Sequence, residues 1–227
     1  PEKSIQIQRN LGADIIFAFD ECGSPLHSYE YIKESVERTH RWAVRSLESH
    51  HQGQALFGIV QGSNFRDLRE ASAKYISSLP FDGIGIGGAL GNSKQEMHTI
   101  LEWMVPHLPA QKPRHLLGIG HLDDFEECIK RGMDTFDCVF PMRLARHGVL
   151  LTSHTRINIT NAKYGLMKTQ PVQGCVCYTC MHFSAAYLHH LFRAGEMLGP
   201  RLATIHNIFT TLELVKNIRK RILEGEL

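Results

Sequence analysis

Short apolar runs alternate with longer amphipathic stretches through the first two-thirds of the chain. Five runs, IIFAF (15–19), LFGIV (56–60), GIGIG (83–87), HLLGI (115–119) and TFDCV (135–139), are too short for core helices and read as buried parallel strands. Helical patterns lie between them. Residues 30–48 set Ile32, Val36, Trp42, Val44 and Leu47 among charges; residues 64–79 carry Leu68, Ala71, Tyr75 and Leu79 on one stripe behind a predicted Asn64 cap. Residues 93–104 and 123–132 repeat the theme. The order predicts an α/β fold with a parallel sheet covered by helices, either a (β/α)8 barrel or an open doubly wound sheet.

The pattern changes near residue 151. GCVCYTCMHF (174–183) interrupts it, and two amphipathic helices follow. One places Phe183, Ala186, Tyr187, His190, Leu191, Ala194 and Met197 on a common face; the other does so with Ile205, Ile208, Phe209, Leu212, Val215, Ile218 and Ile222.

Composition narrows the picture modestly. The chain has 227 residues, 43% hydrophobic and 21% charged, with a net charge of +2, so a nucleic-acid role has to come from local patches. No apolar run approaches the roughly 18–20 residues of a membrane span, and no secretory leader is read. Three of the six cysteines fall within 175–180, which suits a metal in a reducing compartment, and the predicted location is the cytoplasm. The chain opens on Pro1 without an initiator methionine, so a longer polypeptide is expected.

Each predicted strand is followed by residues able to do chemistry or admit a ligand: Asp20 and Glu21, Gln61 and Gly62, Gly87 and Gly88, Gly118 and Gly120, and Asp137. In a parallel sheet these ends share one rim, where ligands bind. A lone Asp there also serves as a cap for the next helix, and only the shared rim separates the two readings. Asp20 accepts hydrogen bonds, Gln61 donates and accepts, and Gly88 offers an N–H that a ligand can approach closely. That set matches a flat heterocycle with adjacent N–H donors and a carbonyl, such as guanine or a 7-deaza relative. Asp137 followed by Arg143 and Arg146 suggests a carboxylate beside a phosphate-bearing substrate, because arginine binds phosphate bidentately.

Cys175, Cys177 and Cys180 have the spacing to wrap one tetrahedral ion, with a histidine as fourth ligand from among His182, His189, His190 and His206. Four filled positions leave no open site, so the predicted role is structural. Cys22, Cys128 and Cys138 read as inert buried thiols.

In this order, FAFDEC, LFGIVQGS, FDGIGIGG, LLGIG and FDCVFPMRLARHG resemble the motifs of the tRNA-guanine transglycosylases (queuine tRNA-ribosyltransferases), and CVCYTC with AYLHHLFRAGEMLG and IHNI resembles their zinc subdomain. The resemblance runs from about residue 4 to the C-terminus. It implies a (β/α)8 barrel, of which this chain covers roughly the last five β/α units, with one structural Zn2+ held by Cys175, Cys177, Cys180 and His206. The implied organisation is a barrel part over 1–150, a zinc-binding subdomain over 151–206 and a C-terminal helix over 207–227.

The resemblance also assigns roles. Asp137 becomes the nucleophile on ribose C1′ of guanosine 34 in the tRNA anticodon loop. Asp20, Gln61, Gly87 and Gly88 recognise the base, with Leu117 lining the pocket. RNA contacts come from Gly118, Ile119, Gly120, His121, Leu122, Asp123 and Asp124, and from Met142, Arg143, Leu144, Ala145 and Arg146. Guanine would be exchanged for preQ1 or queuine by a homodimer. A second acid/base is implied upstream of residue 1, so the chain by itself is expected to be inactive. Two departures stand out: Met142 where the family usually has Thr, and a loop after Gly88, ALGNSKQEM, shorter than the usual bacterial form and lacking its glutamate. Both bases therefore stay open. A non-catalytic, RNA-binding partner subunit is the alternative reading.

Overall fold

The computed structural model describes residues 1–51, 53–153 and 155–227. The chain divides into two compact units, Pro1–Ile119 with Glu126–Asp137, and Gly120–Phe125 with Cys138–Leu227.

The first unit contains α1 (Glu2–Leu11), β1 (Ile15–Phe17), α2 (Tyr29–Ser49), β2 (Ala55–Val60), α3 (Arg66–Ser78), β3 (Gly83–Ile86), α4 (Lys94–Met104) and β4 (Arg114–Leu116). It also takes most of α5 (Phe125–Lys130) and β5 (Thr135–Phe136). All five strands are parallel and follow one another in the sheet in the order β1-β2-β3-β4-β5. That order decides between the two architectures. A doubly wound sheet reverses its strand order at a switch point, whereas successive barrel strands are always neighbours. The fold is five consecutive units of a (β/α)8 barrel, with α2, α3 and α4 packed in sequence. Ile16, Leu56, Val60, Ile84, Ile86 and Leu116 from the strands bury against Ala43, Ala73, Ile76, Ile100, Leu101 and Met104 from the helices.

β1, β4 and β5 stop two or three residues earlier than their apolar runs suggest, because the chain leaves the ladder to present polar groups, whereas β2 ends with its run at Val60 and β3 one residue short. On α3 the predicted stripe is rotated. Ala71 and Tyr75 are exposed, and the inward face is Leu68, Arg69, Ser72, Ala73 and Ile76. Asn64 is not the cap: Phe65 occupies that position without a side-chain bond, and Asn64 Oδ1 accepts from Gly91 N at 3.1 Å. Ser28 and Ser93 cap α2 and α4.

The second unit holds α6 (Phe140–Arg146), an antiparallel hairpin of β6 (Val149–Leu151) and β7 (Arg156–Asn158), and α7 (Tyr178–His182), α8 (Ala185–Ala194) and α9 (Leu198–Leu223). Its core gathers Ala145, Leu150, Ile159, Tyr164, Leu188, Leu191 and Leu202. The compact units thus change over at Asp137–Cys138, where the sequence reading had 150–151, and α9 runs unbroken through 206–207. Both amphipathic faces are also rotated. On α8, Ala185, Leu188 and Leu191 are buried, while Tyr187, His190 and Ala194 are exposed, and Met197 lies beyond the helix, exposed, at the start of α9. On α9, Leu202, Ala203, His206, Asn207 and Ile218 are buried, while Ile208, Leu212 and Ile222 are exposed. The polar pair His206 and Asn207 occupies the inward face, so an apolar pattern alone misplaces it. Asn207 accepts from Leu151 N at 2.8 Å and donates to Pro141 O and Val149 O, each at 2.9 Å.

Candidate active site and metal centre

The loop after β1 hangs from α2 by three buried hydroxyls. Ser46 accepts from Phe19 N at 3.3 Å, Thr39 accepts from Glu21 N at 3.0 Å, and Ser35 donates to Glu21 O at 3.1 Å. Asp20 is presented between these anchors. Its Oδ2 accepts from Gln61 Nε2 at 2.5 Å. Burial raises the Asp20 pKa above the ordinary carboxylate range, against the opposing hydrogen bonds from Gln61 and from its own backbone. Glu21 is committed elsewhere: its carboxylate takes Tyr31 Oη at 2.8 Å and pairs with Arg38.

Gln61 is buried just past β2, and its N–H donates to Ser72 Oγ at 3.1 Å. With Nε2 committed to Asp20, its Oε1 is the remaining acceptor. Gly87 N donates to Val60 O at 3.0 Å, which continues the ladder to the end of β3. Gly88 then turns at φ +81°, and a Cβ there would sit 2.4 Å from Gln61 Oε1. Only glycine fits both the turn and the approach. Leu117, half-buried, follows β4 and donates its N–H to Ile86 O at 3.1 Å.

Asp137 follows the two-residue β5 directly. It is not buried as a strand-end position suggests; its side chain is 58% exposed. Its Oδ1 accepts from Gly118 N at 2.8 Å and lies 3.1 Å from His115 Nε2, while His115 Nδ1 lies 2.8 Å from Thr135 Oγ1. Both contacts fall on Oδ1, so Oδ2 is the oxygen available to a substrate. Neither Asp20 nor Asp137 caps a helix, which removes the simpler reading of both. His115 was not singled out in the sequence. The signal was its place one pleat before Leu117 on a strand whose end carries the rim. Cys22 also differs from expectation: it is exposed, and its pKa is raised by burial of the sulfur and by the Asp20 charge, with Arg69 and the Gly88 N–H opposing. Cys128 is buried, as expected.

The expected RNA-contact residues fall in both units. In the first, Gly118 is exposed at φ +74° and Ile119 packs on the core. In the second, the His121 ring lies 4.7 Å from that of Phe140, and His121 contacts Arg156, whose guanidinium sits over the Phe140 ring at 4.9 Å. Asp123 is exposed and lies 3.3 Å from His121 Nδ1, whereas Asp124 is buried. On α6, Met142, Arg143 and Arg146 are exposed, Leu144 is half-buried and Ala145 is fully buried. Of these residues, the Asp124 and Ala145 side chains are thus withdrawn from the surface.

The second unit also contains the candidate metal centre. Cys175, Cys177 and Cys180 Sγ lie 3.6, 3.3 and 3.5 Å from His206 Nδ1. All four ligand atoms fall within 4.8 Å of one another. Cys177 sits at the N-cap of α7 and Cys180 one turn on, so the helix start draws the two thiols together. His206 Nε2 lies 2.7 Å from Leu151 O, which fixes the proton on Nε2 and turns the Nδ1 lone pair to the thiols. The hydrogen bond from Cys180 pulls the Cys177 pKa down to about 4, despite burial, while the bond to Cys177 pushes the Cys180 pKa up. Three thiols this close together, two of them buried, cannot all ionise side by side without a cation. The donor set is therefore a Cys3His group that could hold a metal ion. His182 and His190 lie outside it and are exposed, and His189 Nδ1 is bonded to Ile159 O at 2.9 Å.

The family model for queuine tRNA-ribosyltransferase matches residues 1–227. The chain belongs to the queuine tRNA-ribosyltransferase family. Relatives bearing that description include one from Roseiflexus sp., 49% identical over 243 residues, covering 99% of this chain and 60% of the relative. Another, from Staphylococcus epidermidis, is 48% identical over 230 residues, covering 100% and 61%. A third, from Pediococcus pentosaceus, is 46% identical, covering 100% and 60%. The chain thus spans about three-fifths of the length of these relatives. Against the queuine tRNA-ribosyltransferase pattern, the five-stranded sheet and the Cys3His group both fall where the motifs lead one to expect them. No described helix is long and apolar enough to cross a membrane.

Proposed function

We propose that the polypeptide carrying this chain is a tRNA-guanine transglycosylase, a pentosyltransferase of queuosine biosynthesis that acts in the cytoplasm, as a homodimer, on the anticodon loop of tRNAs with a GUN anticodon. The observation that carries this reading is one rim holding Asp20, Gln61, Gly88 and Asp137 at the ends of β1, β2, β3 and β5 of one parallel sheet. Asp20 accepts the base N–H groups, Gly88 N–H donates to its carbonyl, and Gln61 steadies Asp20 while offering Oε1 to the ring. Leu117 and the Gly87–Gly88 turn line the pocket. Guanine leaves position 34, and a 7-deazaguanine, preQ1 or queuine, takes its place.

Replacement with retention at C1′ needs two in-line displacements, as in retaining glycosidases. Asp137 Oδ2 attacks C1′ as the C1′–N9 bond breaks, and the electron pair of that bond leaves with guanine. His115 and Gly118 N–H hold Oδ1, which orients the carboxylate. A second acid/base protonates guanine and takes the proton of the incoming base. That base then attacks C1′ and releases Asp137. The exposed Arg143 and Arg146, with Met142 and the 118–123 segment, hold the flanking RNA. Zn2+, bound by Cys175, Cys177, Cys180 and His206, would fix the fold of the second unit and take no part in the chemistry.

The test is a denaturing gel of the full-length gene product incubated with tRNA and excess base. A covalent protein–RNA band should form and should vanish in Asp137→Asn. A band that survives the substitution assigns the nucleophile elsewhere. A non-catalytic subunit would form no band in either protein.

A further inference from the structure

Arg69 is fully buried in α3, and no described carboxylate hydrogen-bonds to it. An uncompensated buried cation is costly, so its contacts should explain its presence. They are backbone carbonyls from two different loops. Nε donates to Ser63 O at 2.7 Å, Nη1 to Gly87 O at 2.7 Å, and Nη2 to Ala89 O at 2.8 Å. Nη1 also lies 3.5 Å from Val60 O. The fork therefore joins the loop after β2, which presents Gln61, to the loop after β3, which presents Gly88.

Three further features mark these loops as held under constraint. Ser63 has φ +49°, alone among the described non-glycine residues in having positive φ, and its carbonyl is the one bound by Nε. At Gly62, φ is +136° and a Cβ would meet Arg69 N at 2.7 Å, so the β2 loop lies directly on the first turns of α3. At Gly88 a Cβ would meet Nη2 at 3.1 Å. Three carbonyls approaching from different directions fit a planar guanidinium with five donors and do not fit an ammonium. Burial lowers the Arg69 pKa to about 9, which leaves it charged at neutral pH. Ser72, one turn further along α3, holds Gln61 N–H and lies 3.2 Å from His40 Nε2.

We propose that Arg69 is a positioning residue for base recognition: by tying Ser63, Gly87 and Ala89 carbonyls to one guanidinium, it turns the Gly88 N–H and the Gln61 side chain toward the base. It touches neither substrate nor reacting atoms. In its substrate consequence the inference rests on the function proposed above; the clamp itself does not.

The test compares Arg69→Lys and Arg69→Met with wild type in the full-length gene product. The first measurement is hydrogen–deuterium exchange of residues 61–63 and 87–91. The second is the KM for guanine beside the KM for tRNA. Lysine reaches at most some of the three carbonyls, so exchange in both loops should rise about tenfold while the remainder of the sheet stays protected. The guanine KM should rise by about 10- to 100-fold, as a misplacement near 1 Å costs, with the tRNA KM within about twofold. Methionine should be worse than lysine on both measures. Unchanged protection in Arg69→Lys would overturn the clamp, and so would full restoration by lysine. Guanine and tRNA terms rising in parallel would mark Arg69 as merely structural, as would failure of both variants to fold. If wild type exchanges no guanine, the proposed function fails while the loop protection still decides the clamp.

Discussion

The sheet rim and the thiol cluster solve one problem, holding polar groups in fixed geometry, by opposite means. The rim draws Asp20, Gln61, Gly88 and Asp137 from four strand ends between residues 20 and 137, and its rigidity comes from ladder register and from anchors behind it. The cluster draws three ligands from one short turn and the fourth from α9, all but Cys175 buried. Along the rim Gln61 is buried, Asp20 and Gly88 are half-buried and Asp137 is more exposed than buried, which suits the substrate access proposed above. The cluster is the more enclosed of the two, as the structural role proposed for it requires. Rim geometry is thus sensitive to single anchors far in sequence, and cluster geometry is sensitive to a single ion.

The comparison can be broken most sharply at Asp137. Asp137→Asn keeps the shape but loses the charge, so base exchange should fall by at least about 10^4-fold with tRNA affinity little changed, read by radiolabelled guanine incorporation and filter binding. At the cluster, Cys177→Ala or a strong chelator should unfold the second unit, since structural zinc contributes about 10 kcal/mol or more in comparable small sites. Loss of helical circular dichroism together with release of one zinc per chain checks it. Retained helicity in a zinc-free protein would show that packing alone suffices.

Smaller effects test the anchors. Asp20→Asn places a donor where the base also donates, and the guanine KM should rise by about 100-fold while tRNA binding holds. Its pH behaviour has a definite sign. The folded Asp20 pKa is raised, so its ionised form costs stability at neutral pH. That cost disappears as pH falls through the folded pKa toward the unfolded value near about 3.9. Asp20→Asn should therefore melt higher than wild type near pH 7, with the difference closing in acid. Base binding should weaken on acidification at a pH above that of an ordinary aspartate. Smallest is His115→Asn, which loses one of the two contacts on Asp137 Oδ1 and should lower kcat by about tenfold at unchanged base KM.

The two regions were also unequally legible in the sequence. The thiol cluster could be read from spacing, because Cys175, Cys177 and Cys180 are close in the chain; only the choice of His206 needed the family motif. The rim could be read as a set of strand ends, because glycine and acid residues follow each apolar run. Its supports could not. Ser35, Thr39, Ser46 and Ser72 look like ordinary helix polar residues, and their role depends on which helix face meets the sheet. The apolar stripe on α3 misled by about one position, since Arg69 and Ser72 occupy inward places that a hydrophobic pattern gives to carbon. The same substitution of polar for apolar rotated the reading of α9, where His206 and Asn207 point inward.

The Asn207 amide has a consequence for opening motions. One side chain closes hydrogen bonds to Pro141 at the start of α6 and to both ends of β6, Val149 and Leu151, and Leu151 O is also the partner of the candidate histidine ligand, His206. These segments share donors and acceptors and so must open together, as one exchange-protected unit rather than as separate fraying ends. A metal held at His206 would therefore also stabilise the α6 helix that carries Arg143 and Arg146. On the function proposed above, zinc loss would soften the helix assigned to RNA contact.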